Sequence, residues 1–194
     1  MGKEKYIQSV EELFKKSYVV DSASISRLIR SRRKVKQYPK QFIRNLILKG
    51  KIKKLVDGYY TIHEDPSLAV LCLKPAYLGL QDALSFHELW EQETIPVIIT
   101  ARKVRQGLRR VLGMNVLIRR IDKKYMFGSE YLKNGEFYLP YSDVEKTFID
   151  MIYFRQSLSE ESLKNIKKRI NVKKLNSYLK NYPKRFRNRV FGLV

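Results

Sequence analysis

In the first third of the chain, apolar residues recur at helical spacing. Val10, Leu13 and Phe14 stand at i, i+3 and i+4, and Ile25, Leu28 and Ile29 repeat the interval. A first helix is expected over 5–16 and a second around the later stripe, with Ser22 or Ser24 as its N-cap. A third stripe, Phe42, Ile43, Leu46 and Ile47, lies between Pro39 and Gly50. Proline suits a first helical turn, where its missing N–H would be unpaired anyway, and glycine suits a C-cap. The segment between them holds about three turns. The period then shortens. Residues 52–56 and 59–62 are β-prone, and Asp57-Gly58 between them is the dipeptide a two-residue hairpin favours.

The polar stretch HEDPS at 63–67 carries a proline and reads as a linker, so domains are expected at 1–63 and 68–194. In the second, helices are expected at 81–90 and 142–153. Strands are expected at 96–101 and 115–121, with shorter ones at 125–127 and 136–139. Strand signals clustered between helices, without βαβ alternation, favour an α+β architecture. Two further stripes, Leu163, Ile166, Ile170 and Leu175, Tyr178, Leu179, predict a helical C-terminus, with Pro183 before a short last segment.

Three helices followed by a basic hairpin within about sixty residues match a winged helix-turn-helix in size and order. With Phe42, Ile43, Leu46 and Ile47 turned inward, Gln41, Arg44 and Asn45 face out. Arginine can bridge guanine O6 and N7, and Gln or Asn can bridge adenine N6 and N7. Lys36, Lys40, Lys53 and Lys54 surround that trio as candidate phosphate contacts, and Tyr38 completes the expected DNA-binding set. The basic connector 30–36 is a further candidate for phosphate contact.

Charge sharpens the picture. The chain has 40 Lys+Arg against 19 Asp+Glu, a net charge of +21. Residues 1–62 carry +11, residues 63–161 carry −1, and residues 162–194 carry +11 with no acidic group. Two cationic ends around a near-neutral middle are the footprint of a polyanionic partner. Lys167, Lys168, Lys173, Lys174, Lys184, Arg185, Arg187 and Arg189 form the expected second basic surface. A membrane partner is not expected: no apolar run reaches the ~18 residues a span needs, and no signal peptide is legible. A cytoplasmic location follows as the expectation. Cys72 is the only cysteine, so no intramolecular disulfide and no Cys-based zinc site can form.

Catalytic motifs are missing. There is no G-x-x-x-x-G-K-[ST] or G-x-G-x-x-G, and His87-Glu88 lacks the second histidine of H-E-x-x-H. His87 is expected to pack or cap. Asp143, Glu145, Lys146 and Asp150 have the residue types of a metal-dependent nuclease. On a helix over 142–153, however, Asp143 and Asp150 share a face while Glu145 points elsewhere, and Asp143 and Glu145 serve naturally as first-turn acids. No metal, cofactor or enzymatic activity is expected.

Several ordered segments resemble the AbiEi family of antitoxin-like transcriptional regulators, linked to abortive infection by phage and to type IV toxin–antitoxin systems. They are GKIKKLVDGYYTI at 50–62, YLGLQDALSFHEL at 77–89, VIITARKVR at 97–105, LPYSDVEKTFIDMI at 139–152 and KRFRNRVFGLV at 184–194. The resemblance implies a repressor that binds double-stranded DNA at its own promoter through the N-terminal domain. It further implies a C-terminal domain that counters a nucleotidyltransferase-like toxin without a stable complex. The alternative from the residues alone is an RNA- or ribonucleoprotein-binding adaptor that recruits Tyr38, Tyr59 and Tyr60 for base stacking.

Overall fold

The computed structural model describes residues 2–30 and 38–193. It divides into two compact units, Met1–Cys72 with Arg110–Met114, and Leu73–Arg109 with Asn115–Val194. The division falls after a 3-10 turn, Pro66–Cys72, whose Pro66, Ser67, Leu68, Ala69, Val70 and Cys72 are buried. The end of the expected linker is thus folded into the first unit.

The first unit holds α1 (Gly2–Lys16), β1 (Val20–Asp21), α2 (Ser22–Arg30), α3 (Tyr38–Leu48), β2 (Lys53–Val56) and β3 (Tyr59–Thr61). Val10 and Phe14 of α1, Ile25 and Ile29 of α2, and Phe42, Ile43 and Leu46 of α3 share one core with Tyr6, Val20 and Ile52. Ile47, expected in that stripe, is exposed. It follows Leu46 by about 100° on the helical wheel and falls off the flank of the buried face. A Schellman motif ends α3. Gly50 takes φ +66°, its N–H reaches Ile47 O at 2.9 Å, and the Lys51 N–H reaches Leu46 O at 2.9 Å. Asp57-Gly58 turns β2 into β3, with a bulge between Lys54 and Val56. Gly58 has φ +79°.

The cap of α2 is neither Ser22 nor Ser24. Strand β1 pairs with β3, which keeps the chain extended through Asp21 and makes Asp21 the capping residue. Its carboxylate accepts from the Ser24 N–H at 2.8 Å and from Ser24 Oγ at 3.0 Å. A two-residue strand leaves no period in the sequence, so nothing in the pattern marks Asp21 as the boundary.

The second unit is built on a six-stranded mixed sheet in the order β6-β7-β5-β4-β9-β8, of which only the β6–β7 turn region, Arg110–Met114, is grouped with the first unit. Its strands are β4 (Ala76–Leu78), β5 (Val97–Thr100), β6 (Gly107–Val111), β7 (Met114–Arg120), β8 (Ser129–Asn134) and β9 (Phe137–Ser142). Strand β4 pairs antiparallel with β5 and parallel with β9, and β5 runs parallel to β7. With α4 (Leu80–Phe86), α5 (Val144–Tyr153), α6 (Glu160–Arg169), α7 (Val172–Leu179) and α8 (Lys184–Phe191), the architecture is mixed α+β. The core joins Tyr77, Leu84, Val97 and Ile99 to Phe148, Ile149 and Met151 of α5 and to Ile166, Leu175, Leu179, Tyr182 and Val190.

Two local readings are corrected. Helix α4 stops at Phe86 rather than at 90, because Glu88 adopts φ +58° and turns the chain out of the helix. The strand expected at 125–127 is instead a 3-10 turn, Lys123–Tyr125, capped by Asp122, whose buried Tyr125 stacks on Tyr182 at 4.1 Å. Strands β4, β6 and β8 had no clear alternation to announce them. No helix among the described residues is long and apolar enough to cross a membrane.

Replacing Asp21 by alanine should cost about 1 kcal/mol in thermal unfolding at neutral pH. Burial acts to raise the Asp21 pKa, but hydrogen bonds from Ser24 and Ala23 and the charge of Arg27 outweigh it and leave it lowered. A lowered carboxyl stabilises the fold above its ordinary value of 3.8 and loses that contribution as pH falls through the folded-state value. The gap between wild type and Asp21→Ala should therefore shrink below about pH 3.8, which paired melts across pH will check.

Candidate nucleic-acid interface

Helix α3 presents two unlike faces. Phe42, Ile43 and Leu46 anchor it in the core, while Lys40, Gln41, Arg44 and Asn45 are exposed on the other side. Gln41 Nε2 donates to Asn45 Oδ1 at 3.3 Å, one turn apart. Arg44 and Lys40 form no ion pair among the described residues. Four expected contact residues thus sit on one solvent-facing surface.

The other four divide. Lys36 lies outside the described residues. Tyr38 packs inward: its ring meets Tyr6 edge-on at 6.5 Å and Phe42 at 6.2 Å, so it braces the start of α3 instead of reaching into solvent. An aromatic ring four residues before a buried phenylalanine finds more apolar contact against the core than outside it. Lys53 pairs with Glu64, and Lys54 with Asp57 at 2.5 Å. Both carboxylates are exposed, and exposed pairs of this kind contribute under about 1 kcal/mol, so a phosphate could replace either partner. Of the tyrosines suited to base stacking, Tyr60 also packs against the core, leaving Tyr59 half-buried on β3.

On the C-terminal helices Lys167, Lys168, Lys173, Lys184, Arg185 and Arg189 are exposed and Arg187 is half-buried. Lys174 is different. Its Nζ lies 3.0 Å from Asp143 and 3.5 Å from Glu145. Burial works against its charge, but Asp143, with Tyr178 and Glu145, holds its pKa well above the ordinary lysine range. Lys174 ties α7 to the start of α5 and is not a free cation. Arg169 is likewise committed, donating to His87 O at 2.6 Å. His87 itself closes α4, and its Nε2 lies 2.7 Å from Ser142 O.

Sequence reasoning missed a buried polar cluster within the second unit. Lys146 and Asp150 are both 0% exposed and form an ion pair one helical turn apart. Tyr77 donates to the other Asp150 oxygen at 2.6 Å, Tyr182 Oη lies 3.3 Å from Lys146 Nζ, and that ammonium sits 5.2 Å from the Phe127 ring centre. Burial pulls Lys146 below its ordinary pKa and raises Asp150 above its own, both against their mutual attraction. Asp143 caps α5 through the Lys146 N–H at 2.7 Å and accepts from Tyr178 Oη at 2.7 Å. Glu145 accepts the Asn171 N–H at 2.7 Å. Every nuclease candidate therefore has a protein partner. Among the described residues, no group of three or more His, Cys, Asp or Glu is placed to hold a metal ion. The available signal was Lys146 and Asp150 four apart, between the apolar residues Val144, Phe148, Ile149, Met151 and Ile152.

The fold is that of a mixed α+β protein. No protein-family model matches the chain, and no curated protein matches it. Among solved structures it is similar to the RV2827C protein from Mycobacterium tuberculosis, with a TM-score of 0.63 at 16% identity over 95% of this chain and 74% of that one. At that identity the likeness is one of fold.

Asp150→Ala leaves a buried ammonium without its counter-ion and should cost about 3–5 kcal/mol in denaturant unfolding. The double substitution Lys146→Met with Asp150→Leu should recover most of that loss, since it removes both charges from the apolar site. Equal destabilisation by the single and double variants would show that packing, rather than charge pairing, sets the cost.

Proposed function

We propose that the first unit is a winged helix-turn-helix, with α3 as its reading helix and β2–β3 as its wing, and that the chain is a sequence-specific DNA-binding transcriptional regulator. The observation that carries this reading is the outward face of α3. Gln41, Arg44 and Asn45, the residue types that pair bidentately with base edges, stand exposed together on a helix whose opposite face is locked in the core. Locked rotation matters, because a reading helix must present the same side chains to the groove in every complex. The Gly50 motif ends α3 directly before the lysine-bearing hairpin, whose Lys53 and Lys54 would meet phosphate.

The resemblance to AbiEi antitoxins makes the target the protein's own promoter and the role autorepression, with a nucleotidyltransferase-like toxin as the functional counterpart, countered without a stable complex. No catalysis and no cofactor enter this reading. The RNA-binding alternative draws less support, because two of its three candidate tyrosines pack against the core.

In a mobility shift near physiological salt, the protein should prefer its upstream duplex over a scrambled duplex and a matched RNA by roughly a thousandfold. Gln41→Ala with Arg44→Ala should abolish that preference while leaving weak, salt-sensitive binding. Equal affinity for all three nucleic acids would refute the regulator reading.

The C-terminal cations are proposed to add phosphate contacts outside the reading surface. Deleting the segment is no test, because Ile166, Leu175, Leu179, Tyr182 and Val190 belong to the core of the second unit. Neutralising Lys167, Lys168 and Lys184 to glutamine is milder. It should flatten the slope of log K on log salt by about 0.9 for each phosphate that is no longer neutralised, and an unchanged slope would exclude the contribution.

A further inference from the structure

We propose that a second copy of this chain adds to the free edge of β8, continuing the six-stranded sheet antiparallel across a two-fold axis. The two outer strands of that sheet are β6 and β8, and they differ. Beside β6, Arg109 turns back on the local backbone, its guanidinium donating to Leu108 O at 2.9 Å, Arg105 O at 3.2 Å and Gln106 O at 3.3 Å. Arg110 adds a second charge within the strand. Positive charge and occupied carbonyls are the usual protection of an edge. Strand β8 has six residues, no proline and two charges of opposite sign, Glu130 and Lys133, so it lacks the like-charge repulsion of β6, and nothing among the described residues pairs with its outer side. Tyr131, at its middle, is 55% exposed, with the Lys74 ammonium 5.9 Å from its ring centre.

The backbone of β8 has a defined outward half. Gly128 O accepts the Asp143 N–H at 2.9 Å, and Asn134 pairs with Phe137 across the two-residue turn at the other end. Hydrogen-bonded pairs alternate along an antiparallel ladder. Glu130, Leu132 and Asn134 therefore turn their N–H and C=O toward β9, while Ser129, Tyr131 and Lys133 turn theirs to the open side.

Side chains select the register. A two-fold axis normal to the sheet keeps each face continuous, so one residue of β8 lies on the axis opposite its own copy. Centring on Glu130 sets two carboxylates face to face, and centring on Lys133 sets two ammonium groups face to face; both are disfavoured. Centring on Tyr131 leaves Glu130 opposite Leu132. Centring on Leu132 brings leucine against leucine, Tyr131 of each copy against Lys133 of the other, and Glu130 against Asn134. That register pairs each charge with a neutral polar or aromatic partner and lets Tyr131 and Lys133 exchange backbone hydrogen bonds. This inference goes beyond the proposed regulator, and its test needs no DNA, so either can fail alone.

At the axis, Leu132 occupies a non-hydrogen-bonded pair, where Cα atoms lie about 4.5 Å apart, within disulfide reach. The native Cys72 is buried and does not compete. At tens of micromolar and physiological salt, the full chain should sediment as two 23.1 kDa chains. Leu132→Cys should then cross-link in air at a rate at least about tenfold above Glu130→Cys, whose copies stand far from each other. Tyr131→Pro, which removes an outward N–H and no ladder bond of its own chain, should give a folded monomer. A wild-type protein that sediments as a single chain, or Leu132→Cys cross-linking no faster than Glu130→Cys, would overturn the proposal.

Discussion

Within the second unit, the ion pair between Lys146 and Asp150 is the contact on which the arrangement turns. Helix α5 is buried at every position from Glu145 to Ile152, so its polar residues have no water to turn to and must be answered by protein. Lys146 and Asp150 answer each other, and Tyr77, Tyr182 and Phe127 enclose them. A buried pair of this kind adds little stability over an apolar equivalent, but it penalises any packing in which one partner lacks the other. Tyr77 comes from β4 and Tyr182 follows α7, so satisfying the pair fixes the C-terminal helices against the sheet. Gly128 shows how tight that fit is. Its φ is +68°, and a Cβ there would lie 2.8 Å from the Lys146 Cβ and 2.9 Å from the Tyr178 ring.

The same requirement explains which parts of the chain were legible in its sequence. In the first unit each helix buries one stripe and exposes the rest, so an i, i+3, i+4 pattern located all three, and the Pro39, Asp57-Gly58 and Gly50 signals bounded the third helix and its hairpin. Strands β5 and β7 were found from short apolar runs, Val97–Ile99 and Val116–Ile118. Strands β4 and β8 were not: β4 is three residues long, and β8 is mostly exposed at a sheet edge, so neither shows alternation. Helix α5 lies where its apolar stripe predicts, but the polar residues between the apolar ones read as solvent-facing when one face of the helix is taken to be wet. Single-stripe reasoning fails for a helix packed on all sides.

The outward residues of α3 were legible for a related reason. Lys40, Gln41, Arg44 and Asn45 could be placed by subtraction, as what remains of α3 once its apolar positions are turned inward. Tyr38 shows where subtraction fails: an amphipathic ring can go either way, and contact with Tyr6 and Phe42 decides it. Lys174 and Arg169 show the same for cations. Composition counts them with the exposed basic residues, yet each is consumed by an acceptor distant in sequence, Asp143 with Glu145 in one case and His87 O in the other.

Those internal uses change the meaning of the charge distribution. The middle of the chain is near neutral by count, but its carboxylates do not all reach the surface. Asp143 caps α5, Glu145 accepts a backbone N–H, Asp150 is fully buried and Asp82 accepts the Val97 N–H at 3.2 Å. Lys146 is the one lysine or arginine among the described residues that is buried in the same way. Among the described residues, acidic groups are therefore withdrawn inward more than basic ones, which leaves the described surface more positive than an even spread of charge would. In the proposed reading this surplus attracts the duplex without selecting a sequence, and selection is left to the few side chains of α3 whose orientation the core controls.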